Sequence, residues 1–83
     1  VATVRVLYFA ALRDAVGKAE EALDLSPELR TVDDLCARLA SLHSAYGEAR
    51  SQVRVAHNDA FATGSEPLAD GDTVALLPPV AGG

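Results

Sequence analysis

Only one stretch of this chain carries the residue spacing of a substantial helix, and segments that alternate like strands stand on both sides of it. Val32, Leu35, Cys36, Leu39 and Leu42 recur at intervals of three and four, which gathers them on one face of a helix. Thr31 precedes the run as a cap, and Asp34 follows three residues later as the shorter form of the capping-box partner. Gly47, directly after Tyr46, is expected to end the helix, because glycine adopts the left-handed backbone that closes helices. One apolar stripe has one face to bury, so the rest of the chain must supply a sheet face to receive it.

The flanking segments read as that sheet. "TVRVLYF" puts Val4, Val6 and Tyr8 on one side and Arg5, Leu7 and Phe9 on the other, and the charge of Arg5 marks the second side as the outer one. "AALRDAVG" reads as a short helical turn closed by Gly17, and "EEALDL" as a second strand ended by "SPE". Beyond the helix, "QVRVAHNDAFA" reads as two short strands about a tight turn at Asn58 and Asp59, residue types that tolerate left-handed backbone. Asp70, Gly71 and Asp72 supply turn chemistry before "TVALL", a final strand with Val74 and Leu76 on one face and Thr73, Ala75 and Leu77 on the other. The predicted class is α+β in the order ββαββ, with one main helix covering one face of the sheet.

Composition narrows the function. A chain of 83 residues with 49% hydrophobic content is expected to form one compact domain over 1–83, just above the size at which small folds lean on disulfides or metals. Acidic residues outnumber basic ones by 12 to 7 and the basic ones never cluster, which argues against a surface that tracks nucleic-acid phosphates. No apolar run approaches the ~20 residues of a membrane span, and the opening lacks the basic head of a secretory signal, so a cytoplasmic protein without membrane partners is expected. Cys36 is the only cysteine; an internal disulfide and a four-cysteine cluster are excluded, and its place on the apolar stripe reads as packing. His43 and His57 fit no metal-ligand spacing with each other or with Cys36, and Asp70 and Asp72 offer too few oxygens for magnesium or calcium. They read as surface or turn residues, and no metal site is expected.

The ending "LPPVAGG" is the least ordinary part of the chain. Pro78 and Pro79 lack backbone N–H groups, so the chain leaves the sheet instead of pairing further, and 78–83 becomes an extended tail. Gly82 and Gly83 have no side chains, which lets backbone and carboxylate enter a narrow channel and leaves no Cβ to crowd attack on the terminal carbonyl. With "VLYFAALRDAVG" at the start, "LADGDTVALLPPVAGG" at the end and the helix between them, the chain resembles the small, ubiquitin-like sulfur-carrier proteins, most closely the small subunits of molybdopterin synthases. The resemblance spans nearly the whole length, although 41–53 carries little of it. It implies a β-grasp fold, a mixed sheet whose first and last strands lie parallel at its centre. It also implies that an E1-like adenylyltransferase adenylates Gly83 and that sulfur from a donor protein replaces the AMP to leave a thiocarboxylate. The large synthase subunit then uses that sulfur to build the dithiolene of molybdopterin.

The chemistry of the tail leads the same way. A terminal carboxyl with a reference pKa of about 3.3 to 3.7 is an anion near neutral pH, a poor target for a nucleophile until it is activated. The chain has no "GxxxxGK" phosphate loop and no catalytic constellation, so ATP is expected to be used by the activating partner, with no cofactor bound here. The tail is the substrate. Its six residues, at about 3.3 Å each, reach roughly 20 Å, enough to cross into a neighbouring active site.

A carrier also needs a docking surface. If Val4, Val6, Val74 and Leu76 pack under the helix, then Leu7, Phe9, Ala75 and Leu77 face outward, with Phe61 beside them, as an exposed apolar patch for partners. Pro78, Pro79, Val80 and Ala81 extend it along the tail. Arg13, in the opening segment, reads either as a contact to the activating enzyme or as a solvated helix-face charge. Three other readings stay open: carriers for thiamine thiazole or cysteine synthesis, a ubiquitin-like modifier that forms isopeptide bonds, and a β-grasp binding module with an inert tail. Lys18 is the only lysine, which disfavours self-linked chains.

Overall fold

Two strands from opposite ends of the chain lie side by side in a computed structural model that describes residues 2–79. β1 (Thr3–Tyr8) pairs in parallel with β5 (Thr73–Leu77), with Val6 beside Val74 and Tyr8 beside Leu76. β2 (Glu20–Asp24) runs antiparallel to β1 on its outer side. β3 (Arg54–His57) runs antiparallel to β5 on the other side, and β4 (Ala60–Phe61) closes a hairpin with β3. The sheet order is therefore β2-β1-β5-β3-β4, the mixed β-grasp sheet expected, with the 54–61 hairpin counting as two strands.

The helices follow from local chemistry. α1 (Ala10–Val16) starts as β1 ends and closes at Gly17, whose φ of 90° is the left-handed cap that the sequence implied. α2 (Val32–Leu42) carries the predicted capping box: the Asp34 amide donates to Thr31 Oγ1 at 3.2 Å, and the Thr31 amide donates to Asp34 Oδ2 at 3.1 Å. Backbone donors from Arg30 and Thr31 hold the Asp34 carboxyl below its usual range.

One boundary differs from expectation. α2 stops at Leu42, and His43, in extended backbone, separates it from α3 (Ser44–Ala49). Gly47 lies inside α3 and does not end a helix. Its role is close approach, because a Cβ there would stand 3.0 Å from the carbonyl oxygen of Ala40 on α2. Leu42, counted on the buried stripe, is 52% exposed; the chain turns away at His43, and the His43 ring packs edge-on against Tyr8 in its place.

Val4, Val6 and Tyr8 of β1 and Val74 and Leu76 of β5 are buried against Val32, Leu35, Cys36 and Leu39 of α2, with Leu12, Leu29 and Tyr46 closing the core. The alternation assigned from sequence thus sets the inner face of the sheet. Among the described residues no helix is long and apolar enough to cross a membrane.

Because Leu76 is fully buried and Leu77 is not, Leu76→Asp should lower unfolding free energy by about 4 kcal/mol or more, combining a lost core side chain with an unpaired buried carboxylate. Leu77→Asp should change it by less than about 1 kcal/mol. Urea unfolding of both variants checks the pair, and the reverse ranking would invert the assignment of the two faces.

Candidate functional site

The face of the sheet away from the helices is where the predicted docking residues converge. In register across four strands stand Leu7 (β1), Ala75 (β5), Ala56 (β3) and Phe61 (β4), each the pairing partner of the next. In-register neighbours point to the same side of a sheet, so the four form one apolar row. Leu77 stands two residues on from Ala75, opposite Arg54. Leu7, Ala75 and Leu77 are half-buried, whereas Phe9 and Phe61 are 41% and 59% exposed. Phe9 has extended backbone, which continues the alternation of Leu7 past the end of β1.

Ala56 and Arg54 belong to this face and were not singled out from sequence. Half of the signal was present: a two-residue turn at Asn58 and Asp59 pairs 57 with 60 and hence 56 with 61. Both turn residues have positive φ, 49° and 71°, as a type I′ hairpin requires. The pairing of β3 with β5 is long-range and has no local signature.

Other predicted residues sit elsewhere. Arg13 is on α1, exposed, with Asp14 at 3.9 Å as its ion partner, and it is not part of the row. Pro78 and Pro79 line an apolar groove with Ala11, Leu12 and Ala15 of α1 and Ala45 and Ala49 of α3. The base of the tail thus turns from the end of β5 toward the helices. Val80, Ala81, Gly82 and Gly83 lie outside the described residues.

The turn before β5 fixes where that strand begins. Asp72 accepts hydrogen bonds from the Ala69 amide at 2.9 Å and the Asn58 side chain at 3.0 Å, with His57 Nε2 at 2.7 Å. Asn58 Oδ1 in turn accepts from the Thr73 amide at 2.9 Å. Asp70 reaches back to the chain start, accepting from the Thr3 amide at 2.9 Å. Both aspartates act as turn residues, as their spacing implied, and Asp72 ties the β3–β4 turn to the start of β5.

With this geometry in view, comparison with known proteins decides the family. Residues 6–83 match the ThiS family. The chain belongs to the ThiS family of ubiquitin-like proteins. A molybdopterin synthase sulfur carrier subunit of Chlamydomonas reinhardtii is 34% identical over 96% of this chain and 98% of its own. A putative molybdopterin converting factor, subunit 1, of Pyrococcus furiosus superposes with a TM-score of 0.83 at 32% identity, covering 96% of this chain and all of that one. Small archaeal modifier protein 1 of Haloferax volcanii does so with a TM-score of 0.80 at 29% identity, over 96% and 100%.

Within this ThiS-family fold, neither histidine is the plain surface or turn residue that the sequence suggested. His57 holds Asp72, as described above. His43 Nε2 lies 2.7 Å from Glu21 Oε2, which also accepts from the Tyr8 hydroxyl, and Lys18 Nζ is 3.7 Å from the other carboxylate oxygen. Burial pushes the Glu21 carboxyl up, but hydrogen bonds from Tyr8 and His43 and the nearby charges outweigh it and hold the group below its usual range. The cluster pins the break between α2 and α3 to β1 and β2. It was invisible in sequence because its members stand far apart in the chain. Cys36 is buried, and desolvation raises its pKa, which fits a packing thiol and not a nucleophile. Among the described residues, no three or more His, Cys, Asp or Glu side chains converge on a point where an ion would sit.

The hydrogen bonds from Asn58 and His57 hold the Asp72 carboxyl at about 2, below its ordinary 3.8. A depressed carboxylate contributes stability that is complete above its unfolded pKa and lost as pH falls through the folded one. Acid should therefore weaken the native protein progressively from about pH 4 toward pH 2, and Asp72→Asn should flatten that limb. Urea midpoints from pH 6 to pH 2 measure both, and parallel curves for the two proteins would remove Asp72 as the cause.

Proposed function

We propose that this chain is the sulfur-carrier small subunit of a molybdopterin synthase, and that Gly83 carries the sulfur. The observation behind the reading is the end-to-end similarity to the Chlamydomonas reinhardtii sulfur carrier subunit, over 96% of this chain. The geometry agrees with it. An apolar row lies open on the sheet, and β5, which supplies Ala75 and Leu77 to that row, leads directly into Pro78 and the tail. Docking through the face and delivery of the tail then use one rigid strand.

In the proposed cycle, the Gly83 carboxylate attacks the α-phosphorus of ATP in the site of an E1-like adenylyltransferase, and pyrophosphate leaves. A persulfide on a donor protein then attacks the acyl carbon and displaces AMP. A thiol attacks the donor's sulfur in the resulting acyl disulfide, takes the donor up as a disulfide, and frees the thiocarboxylate. The large synthase subunit accepts the tail, and the thiocarboxylate sulfur attacks the molybdopterin precursor. Hydrolysis of the acyl link returns the carboxylate for another round. What this chain brings to these steps is its tail: the glycines leave both faces of the acyl carbon uncrowded, and the fold presents them.

A second reading has its own support. The likeness to small archaeal modifier protein 1 fits a ubiquitin-like modifier, in which a lysine amine of a target displaces AMP from the adenylate, or a thiol from a thioester, and forms an isopeptide bond. The two readings share activation and part at the nucleophile.

Deleting Gly82 and Gly83 should leave the unfolding curve within about 1 kcal/mol of the full chain and abolish AMP transfer from the activating enzyme; normal adenylation of the truncated chain would sink the carrier reading. Intact-mass analysis of protein from its own cell separates the two readings. An oxygen-to-sulfur exchange at the terminus is expected, and isopeptide conjugates without it would favour the modifier. Charged protein that supports thiazole or cysteine synthesis but forms no dithiolene with the large subunit would keep the chemistry and move it to another pathway.

A further inference from the structure

Two arginines stand on the open face, and they differ in what surrounds them. Arg5, on β1, lies 3.4 Å from the Glu20 carboxylate of β2, so its charge is answered within the fold. Arg54, on β3, is the register partner of Leu77, and its guanidinium sits 3.8 Å from the centre of the Phe61 ring. Among the described residues, no carboxylate comes within ion-pair distance of Arg54. The negative face of the ring holds the cation without neutralising it. Arg54 and Phe61 are both exposed, so the outer edge of the guanidinium remains available as a planar fork of donors suited to a carboxylate.

We infer that Arg54 sets the register of the protein that takes the tail: its docking surface is apolar and carries one carboxylate side chain, which seats on the Arg54–Phe61 stack beside the end of β5. The inference rests on the sulfur-carrier reading and names a determinant within it. Size points to a protein surface, because the row from Leu7 through Ala75 and Ala56 to Phe61 spans four strands, wider than a small anion covers. Charge selects the single acid. A chain of net charge −5 repels a broadly acidic partner, and on this face, where Arg5 is already answered by Glu20, a lone carboxylate on an otherwise apolar or basic surface is drawn to Arg54. Position gives the consequence: Arg54 is level with the last strand residue before the prolines, so a fixed point there limits the direction in which 78–83 leads.

The test titrates the full chain against the large subunit of molybdopterin synthase from the same organism, by calorimetry at low and at high salt. Arg54→Met keeps an apolar stem over Phe61 and removes only the charge. It should bind about tenfold more weakly at low salt, with the gap closing at high salt. Arg54→Glu should lose about a hundredfold, and Arg54→Lys, which keeps the charge but loses the fork, should fall between the parent and Arg54→Met. Since Arg54 is exposed, all three should melt with the parent protein, which circular dichroism verifies. Equal affinity of Arg54→Met and the parent at low salt, or tighter binding by Arg54→Glu, overturns the inference. Leu77→Asp separates the two levels of failure. If it loses binding while Arg54→Met does not, the docking face stands and the role of Arg54 falls. If the folded parent chain does not bind the large subunit at all, the choice of partner falls and the inference falls with it.

Discussion

The parallel pairing of β1 with β5 is the contact on which everything else depends. It brings Val6 against Val74 and Tyr8 against Leu76, residues separated by most of the chain, and those four side chains form the floor on which α2 packs. The antiparallel neighbours extend the sheet from this central pair, β2 joining β1 and β3 joining β5. The same pair aims the carboxyl end. Because β5 lies between β1 and β3, it is held from both sides as far as Leu76, and Leu77 is held by Arg54 of β3.

Strand alternation was the legible part of the sequence, because a period of two is local and survives in five or six residues. Val74 and Leu76 inward, Ala75 and Leu77 outward, needed no knowledge of the partner strands. The capping box at Thr31 and Asp34 and the left-handed cap at Gly17 were legible for the same reason. The end of α2 was not. A glycine after an apolar stripe reads as a stop, but Gly47 answers the approach of α3 to Ala40, a tertiary constraint that leaves no local mark. Leu42 was misassigned with it, since helical spacing says nothing about where the chain turns away.

Polar residues were read least well, and for a physical reason. Glu21 gathers Tyr8 and His43, and Asp72 gathers His57, Asn58 and the Ala69 amide. Each cluster joins separate elements around one carboxylate, and a composition argument sees only isolated acids and histidines. Of the candidate site, the docking row was readable up to Phe61, whereas Ala56 and Arg54 required the β3–β5 register. The reading of the tail rests on "LPPVAGG" as sequence, because it depends on the absence of side chains and not on their arrangement.

The central place of β5 also has a mechanical consequence. Consider a force on the end of β5 directed along the axis of the strand, not across it. The ladder to β1 on one side and to β3 on the other is then loaded in shear, with the hydrogen bonds sharing the strain at once. A strand tugged sideways would yield one bond after another like a zip, and an edge strand would have a single ladder to resist with. A chain that ends on a central strand thus resists a pull on its end with two ladders where an edge strand would have one.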